Sequence, residues 1–189
     1  MKTVSILFYS TAGHTARMAE AVAAGARSVE GVQAQLIAID ANDIVKGRYK
    51  NPEVMAQLDA SDAIILGSPT YMGGPAAQFK AFADASSERW YGQQWRDKLA
   101  AGFTVSGTLS GDKYHTLQYL HALAMQHGMI WVGLGELPAQ ENGVNRLGSW
   151  IGAMGVSGHE PSDGTPGADD LLTGEVLGRR VATVALRLN

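Results

Sequence analysis

Continuous β-branched and aliphatic runs alternate along this chain with stretches whose apolar residues recur every three or four positions, and that alternation admits few folds. Residues 3–9 form an unbroken apolar run, as in a strand covered on both faces. Residues 13–30 read as a helix with Met18, Val22, Ala26 and Val29 on one face. Residues 33–39 and 63–66 read as the second and third strands. Pro75 suits the first turn of a helix that carries Phe79, Phe82 and Ala83 on its apolar side. Residues 99–105 give a fourth strand, followed by a helix over 114–127 with Leu117, Leu120 and Ala124 inward and Gly128 as its C-cap. A fifth strand is expected over 129–134. The closing helix, 171–188, stripes Leu177, Val181, Val184 and Leu188 along one side.

Strands interleaved with helices in this way predict an α/β chain. Its sheet is parallel and doubly wound, with right-handed crossovers and helices on both faces. The 189 residues show no linker and no internal repeat, so one domain is expected over 1–189. Residues 136–170 read as a long irregular loop, rich in Gly, Pro and Asp. Such a loop is a functional element, a partner contact or a disordered excursion.

Composition removes several functions. The net charge is -3 and there is no basic run, so nothing would neutralise a row of nucleic-acid phosphates. The absence of cysteine excludes disulfides, thiolate metal sites and cysteine nucleophiles. Neither His159-Glu160 nor the pair His115 and His121 has the spacing of a metal-binding helix, and no metal is expected. Lys2 precedes an apolar run too short for a signal peptide, and no segment approaches the ~20 apolar residues of a membrane span. A cytoplasmic protein is the expectation.

In an open parallel sheet, ligands bind outside the carboxyl ends of the strands, so the residues just beyond each strand are the test. Ser10, Thr11, Ala12, Gly13, His14 and Thr15 come after the first. Small hydroxyl residues and a glycine at a helix start offer N–H and O–H donors to an anion, or serve as a plain cap. Neither a Walker loop nor a G-x-G-x-x-G fingerprint is present. After the third strand, Pro69 and Pro75 bracket Thr70, Tyr71, Met72, Gly73 and Gly74. Paired glycines let backbone approach a flat ligand, and Tyr71 and Met72 add polarizable surface. After the fourth come Ser106, Gly107, Thr108, Leu109, Ser110 and Gly111, again glycines and hydroxyls ahead of a helix.

On YSTAGHTARMAEAVAAG, DAIILGSPTYMGGPAAQFKAF and the run from FTVSGTLSGDK to QHGMIWVGLG, the sequence resembles flavodoxin-like flavoproteins. In particular it is similar to the tryptophan-repressor-binding-protein (WrbA) type of NAD(P)H:quinone oxidoreductase. The resemblance covers nearly the whole chain. It implies a five-stranded sheet of order 2-1-3-4-5 and bound FMN. The ribityl phosphate would be held without lysine or arginine by the loop from Ser10 to Thr15. Pro69, Thr70, Tyr71, Met72 and Gly73 would hold one edge of the isoalloxazine, and the loop from Ser106 to Gly111 would continue that contact. The family also has a histidine before the fifth strand at the flavin face, matched by His127, and a pocket-wall tryptophan matched by Trp90. The connection over 40–61 is shorter than in typical members, and 136–170 matches only through GSWIGAMG.

A flavin carries out the redox chemistry itself, so no catalytic triad is needed. His127 could hydrogen-bond a quinone oxygen as it gains electrons, or could interact with the last-turn carbonyls of its helix. The leading expectation is an FMN-dependent oxidoreductase passing two electrons from NADH or NADPH to a quinone-like acceptor, as a homo-oligomeric dimer or tetramer. An electron-carrier flavodoxin is the alternative, against which the modest acidity counts. A flavodoxin-like module that binds a protein partner is the third.

Overall fold

The computed structural model describes residues 1–138, 141–160 and 164–188. Five parallel positions form the sheet. β1 (Lys2–Phe8) leads through α1 (His14–Arg27) to β2 (Val32–Ala38). The connection over 40–61 holds the short hairpin of β3 (Ile44–Val45) and β4 (Arg48–Tyr49), then α2 (Pro52–Asp59). This helix has a legible start, because Asn51 caps it by accepting from the Val54 N–H at 3.0 Å and Pro52 occupies its first turn. β5 (Ala63–Tyr71) then runs through the sheet centre, folds back at β6 (Gly74–Pro75), and is followed by α3 (Ala77–Ala85) and α4 (Ser87–Tyr91). β7 (Leu99–Ser106), α5 (Lys113–Gln126), β8 (Ile130–Trp131), β9 (Ala153–Val156) and α6 (Ala168–Arg187) complete the order.

The sheet runs β2-β1-β5-β7-β8 with parallel pairings, the flavodoxin-like arrangement. Its outermost position differs from the expected single strand over 129–134. β8 pairs only with Leu99 and Ala100, while β9 pairs with Phe103 to Ser106 on the same edge of β7. The fifth strand is thus split in two around residues 132–152. The segment 136–170 therefore contains a sheet strand, and its residues 139–140 and 161–163 lie outside the described residues.

Alternation along the strands divides the interior. Val4, Ile6 and Phe8 join Ile65, Phe103 and Val105 beneath α1 and α6, where Met18, Val22, Leu177 and Val181 close the layer. Leu7, Ile64 and Leu66 face the other way, against Phe79, Phe82, Trp95, Leu117 and Leu120 of the α3 and α5 side. Covering both faces is what makes these strands read as continuous apolar runs. It also leaves the two ends of the sheet as the places where loops gather.

Candidate functional site

The loops after β1, β5 and β7 converge at the carboxyl end of the sheet around a cleft. Ser10, Thr11, Ala12, His14 and Thr15 line one side, Pro69, Thr70 and Tyr71 another, and Val105, Ser106 and Gly107 a third. Gly13 adopts φ 92°, a left-handed turn that lets the chain pass from strand to helix in a tight bend. No side chain caps the N-terminus of α1. Its first N–H groups therefore keep their donors and the positive end of the helix dipole for a ligand. Beside them, Ser10 Oγ is buried and has no hydrogen-bond partner. An orphaned buried hydroxyl costs free energy unless something accepts from it, which marks this corner as built for an acceptor.

The second loop is a β-hairpin. Thr70 pairs with Pro75 and Tyr71 with Gly74, so Met72 and Gly73 form a two-residue turn, at φ 48° and 79°. Both central residues have positive φ, the twist that matches flanking strands, and Gly73 takes it without strain. Met72, which has a Cβ, is held there with its side chain fully in solvent. Side chains lock this hairpin to both neighbours. Tyr71 Oη donates to Thr11 Oγ1 at 3.1 Å, His115 Nδ1 donates to the Gly73 carbonyl, and Thr70 Oγ1 meets Thr104 and Thr116 hydroxyls at 2.8 Å each.

The third loop lies over a buried lysine. Lys113 Nζ donates to Ser106 Oγ at 2.8 Å and to the Thr108 carbonyl at 2.6 Å. Burial pushes its pKa below the ordinary lysine value, with Asp170 working against that and Arg146 with it. Thr108, Leu109 and Ser110 are exposed at the loop tip. Beyond them Leu109, Tyr114, Trp150, Ile151 and Met154 border a second depression, which joins the third loop to the GSWIGAMG stretch. Of the predicted residues, the three loops Ser10 to Thr15, Pro69 to Gly73 and Ser106 to Gly111 are thus brought together at one edge.

The structure adds Ser157, His115 and Lys113 to them. Ser157 lines the cleft because β9 ends there, and its N–H bonds the Ser106 carbonyl at 3.0 Å. Only a second half to the fifth strand could have signalled it. His14 Nε2 lies 3.2 Å from the Glu160 carbonyl, which ties the first loop to that same segment.

His127 and Trp90 are not part of this cleft on their own chain. β8 starts at Ile130 and runs parallel to the other strands, so the residue before it sits at the amino edge, opposite the loops. His127 is 2% exposed there, with its ring 4.4 Å from that of Trp95 and Nε2 2.9 Å from Ser86 Oγ. Its pKa is lowered to about 4 by burial. Trp90 lies in α4, which leads into the start of β7, and its neighbour Arg89 reaches Asp59 at 3.4 Å, at the same amino edge. Trp90 is 47% exposed and is not among the residues that line the cleft.

Among the described residues no cluster of three His, Asp or Glu could hold a metal ion, and no helix is long and apolar enough to cross a membrane. The cleft's donor set is hydroxyls and helix N–H groups, with exposed Tyr71 in its lining and exposed Met72 and Leu109 on the same second and third loops. That set fits FMN, whose phosphate accepts from such donors and whose ring needs a flat apolar border.

A family model described as NADPH-dependent FMN reductase matches residues 3–142. Flavodoxin FldP of Pseudomonas aeruginosa is 40% identical over 198 residues, covering 100% of both chains. The NAD(P)H dehydrogenase (quinone) of Methanosarcina acetivorans is 34% identical over 212 residues, covering 100% of this chain and 99% of the relative. Among solved structures, a flavodoxin, WrbA-like protein from Agrobacterium tumefaciens superposes with TM-score 0.80 at 44% identity and covers 100% of both chains. With this sheet order, this cleft and these relatives, the chain belongs to the NADPH-dependent FMN reductase family and is a flavodoxin-like FMN flavoprotein related to the WrbA type.

Proposed function

We propose that this FMN-dependent oxidoreductase takes two electrons from NADH or NADPH and delivers them to a quinone or similar small acceptor. The observation that carries the reading is the carboxyl-edge cleft, where an uncapped helix start and the orphaned Ser10 hydroxyl meet an exposed aromatic and apolar rim. A relative named NAD(P)H dehydrogenase (quinone) supports the choice of donor and acceptor. The chain would act as one FMN-binding domain over 1–189, working as a homo-oligomer.

In this reading the N–H groups at the start of α1, with Ser10, Thr11 and Thr15, hold the phosphate. Thr70, Tyr71, Met72 and Gly73 border the isoalloxazine on one side, and Gly107, Thr108, Leu109, Ser110 and Gly111 on another. Bound FMN supplies the two-electron redox chemistry, and no acid or base on the chain is required for it. The protein's work is orientation. The Tyr71–Thr11 and His115–Gly73 bonds keep the hairpin at a set distance from the first loop and from α5. A nicotinamide and an acceptor would use the same open rim in turn.

An anaerobic visible spectrum of FMN-loaded protein, taken before and after adding NADH or NADPH, tests this. Rapid loss of the yellow flavin absorbance, restored by a quinone, is the expected result. A bound flavin that ignores both nicotinamides would favour a second reading, an electron carrier that docks to redox proteins. The relative named Flavodoxin FldP is what keeps that reading in play.

A further inference from the structure

Lys113 is 0% exposed in the first turn of α5, under the loop after β7. An ammonium group removed from water is costly unless an anion or a full set of acceptors surrounds it. Its two partners, Ser106 Oγ and the Thr108 carbonyl, are neutral. Among the described residues no carboxylate comes within ion-pair distance of it. Asp170 is the acid whose field reaches Lys113, and its charge is already matched. Arg146 grips that carboxylate through two hydrogen bonds at 2.7 and 2.8 Å, and the Val156 N–H adds a third at 2.9 Å. The exposed Asp169 also attracts Arg146, but neither carboxylate touches Lys113, whose ammonium is left with no anion in contact.

That charge lies one residue from the cleft, because its partner Ser106 is a lining residue. Ser106 lines the cleft together with Ser10, Thr15 and Ser157. Because Lys113 donates into Ser106 Oγ, that oxygen's own hydrogen is directed elsewhere. At present it reaches only the Thr108 carbonyl, at a long 3.2 Å. An anion in the cleft would be a better acceptor.

We propose that Lys113 is a positioning residue and the counter-charge for the FMN phosphate, acting from beneath the site through Ser106. The inference rests on the reading of the cleft as an FMN site. It means that a phosphate without a lysine or arginine in contact is still matched by a cation one hydroxyl away. The apoprotein carries the cost of that buried charge and binding relieves it. Removing the charge should therefore have opposite effects on the empty protein and on phosphate recognition.

The test uses flavin fluorescence quenching to measure FMN and riboflavin affinities of the FMN-stripped protein. Wild type, Lys113→Met, Ser106→Ala and the double variant are compared, with apoprotein melting tracked in parallel. Wild type should prefer FMN over riboflavin. In Lys113→Met that preference should fall roughly ten- to hundredfold, with riboflavin affinity within about twofold of wild type and the apoprotein melting no lower. Ser106→Ala should remove much of the same preference, and the double variant should add little, since both act on one path. If Lys113→Met weakens FMN and riboflavin together, the lysine merely holds the loop and the proposal fails. If the preference survives in both single variants, it also fails. Wild type that shows no preference for FMN would overturn the cofactor reading itself.

Discussion

At the amino edge of the sheet, Trp95 Nε1 donates to Asp59 Oδ1 at 2.7 Å, Lys98 Nζ donates to the Asp59 and Ser61 carbonyls, and Ser86 Oγ meets His127 Nε2 at 2.9 Å. At the carboxyl edge, Ser10 Oγ has no partner and Lys113 has no anion within the described residues. Both edges carry aromatic, histidine and hydroxyl side chains, so residue types alone do not separate them. What separates them is how far those groups satisfy one another. The amino edge is a closed network packed on Phe82 and Trp95. His127 Nδ1 and, against Phe82, Tyr49 Oη are buried orphans on that side, whereas the orphan at the carboxyl edge sits beside the three-loop cleft. Unsatisfied donors that a ligand can reach mark function more reliably than the residue types do.

Substituting at each edge separates packing from binding. Trp95→Ala should show the largest effect, about 3–5 kcal/mol of stability. It empties a fully buried indole site and leaves Asp59 without its indole donor. Urea unfolding measures the loss, and the protein that stays folded should bind FMN as wild type does. A proportionate loss of FMN affinity in folded protein would break the division between the edges. Thr15→Glu is the reverse case. A carboxylate about 4 Å from the phosphate costs roughly 4 kcal/mol at an effective dielectric of 20, about a thousandfold in affinity. Tight FMN binding by a folded Thr15→Glu variant would show that the phosphate lies elsewhere.

The amino edge should also have its own response to acid. His127 is lowered by burial to about 4 from 6.5, so the folded chain holds this ring neutral where the unfolded chain protonates it. Stability from this source is complete above pH 6.5 and is lost as pH falls toward 4, because the unfolded state binds the extra proton. At 1.36 kcal/mol per unit, the shift corresponds to roughly 3 kcal/mol across that window. Unfolding free energies at about pH 7, 5.5 and 4.5 measure it. His127→Gln should start lower at neutral pH and show a flatter acid limb. An unchanged limb would assign the acid sensitivity to other groups.

Much of the carboxyl edge was legible because its logic is local: each loop is the continuation of an apolar run, and the ligand end of a parallel sheet is set by chain direction. The same rule places a residue that precedes a parallel strand at the far end. Applied to His127, it puts the ring at the amino edge of its own chain. β9 was not legible. Ala153–Val156 is short, glycine-flanked and without a long apolar run, and it becomes a strand only because the upper half of β7 needs a neighbour. α2 had a signal in Asn51 and Pro52 that a plain connection over 40–61 passed over. Lys113 had none, since a lysine at a helix start reads as a solvated charge until its burial is seen.

The smallest expected effect on the single chain is the one that decides what the amino edge is for. Trp90 is 47% and Tyr91 87% exposed, in the helix that follows Ser86 of that network. An exposed tryptophan makes few contacts within its own chain, so Trp90→Ala should change unfolding free energy by no more than about 0.5 kcal/mol. Aromatic surface of this kind is enriched where chains meet, and homo-oligomers cover it against a second copy. Light scattering of wild type should therefore give a mass above the 20.0 kDa of one chain. Trp90→Ala combined with Tyr91→Ala should move the mass toward that value at the same concentration. A wild-type mass of one chain would mean that no second copy covers these rings. The closed amino edge would then serve packing alone, and the contrast between the two edges would be complete.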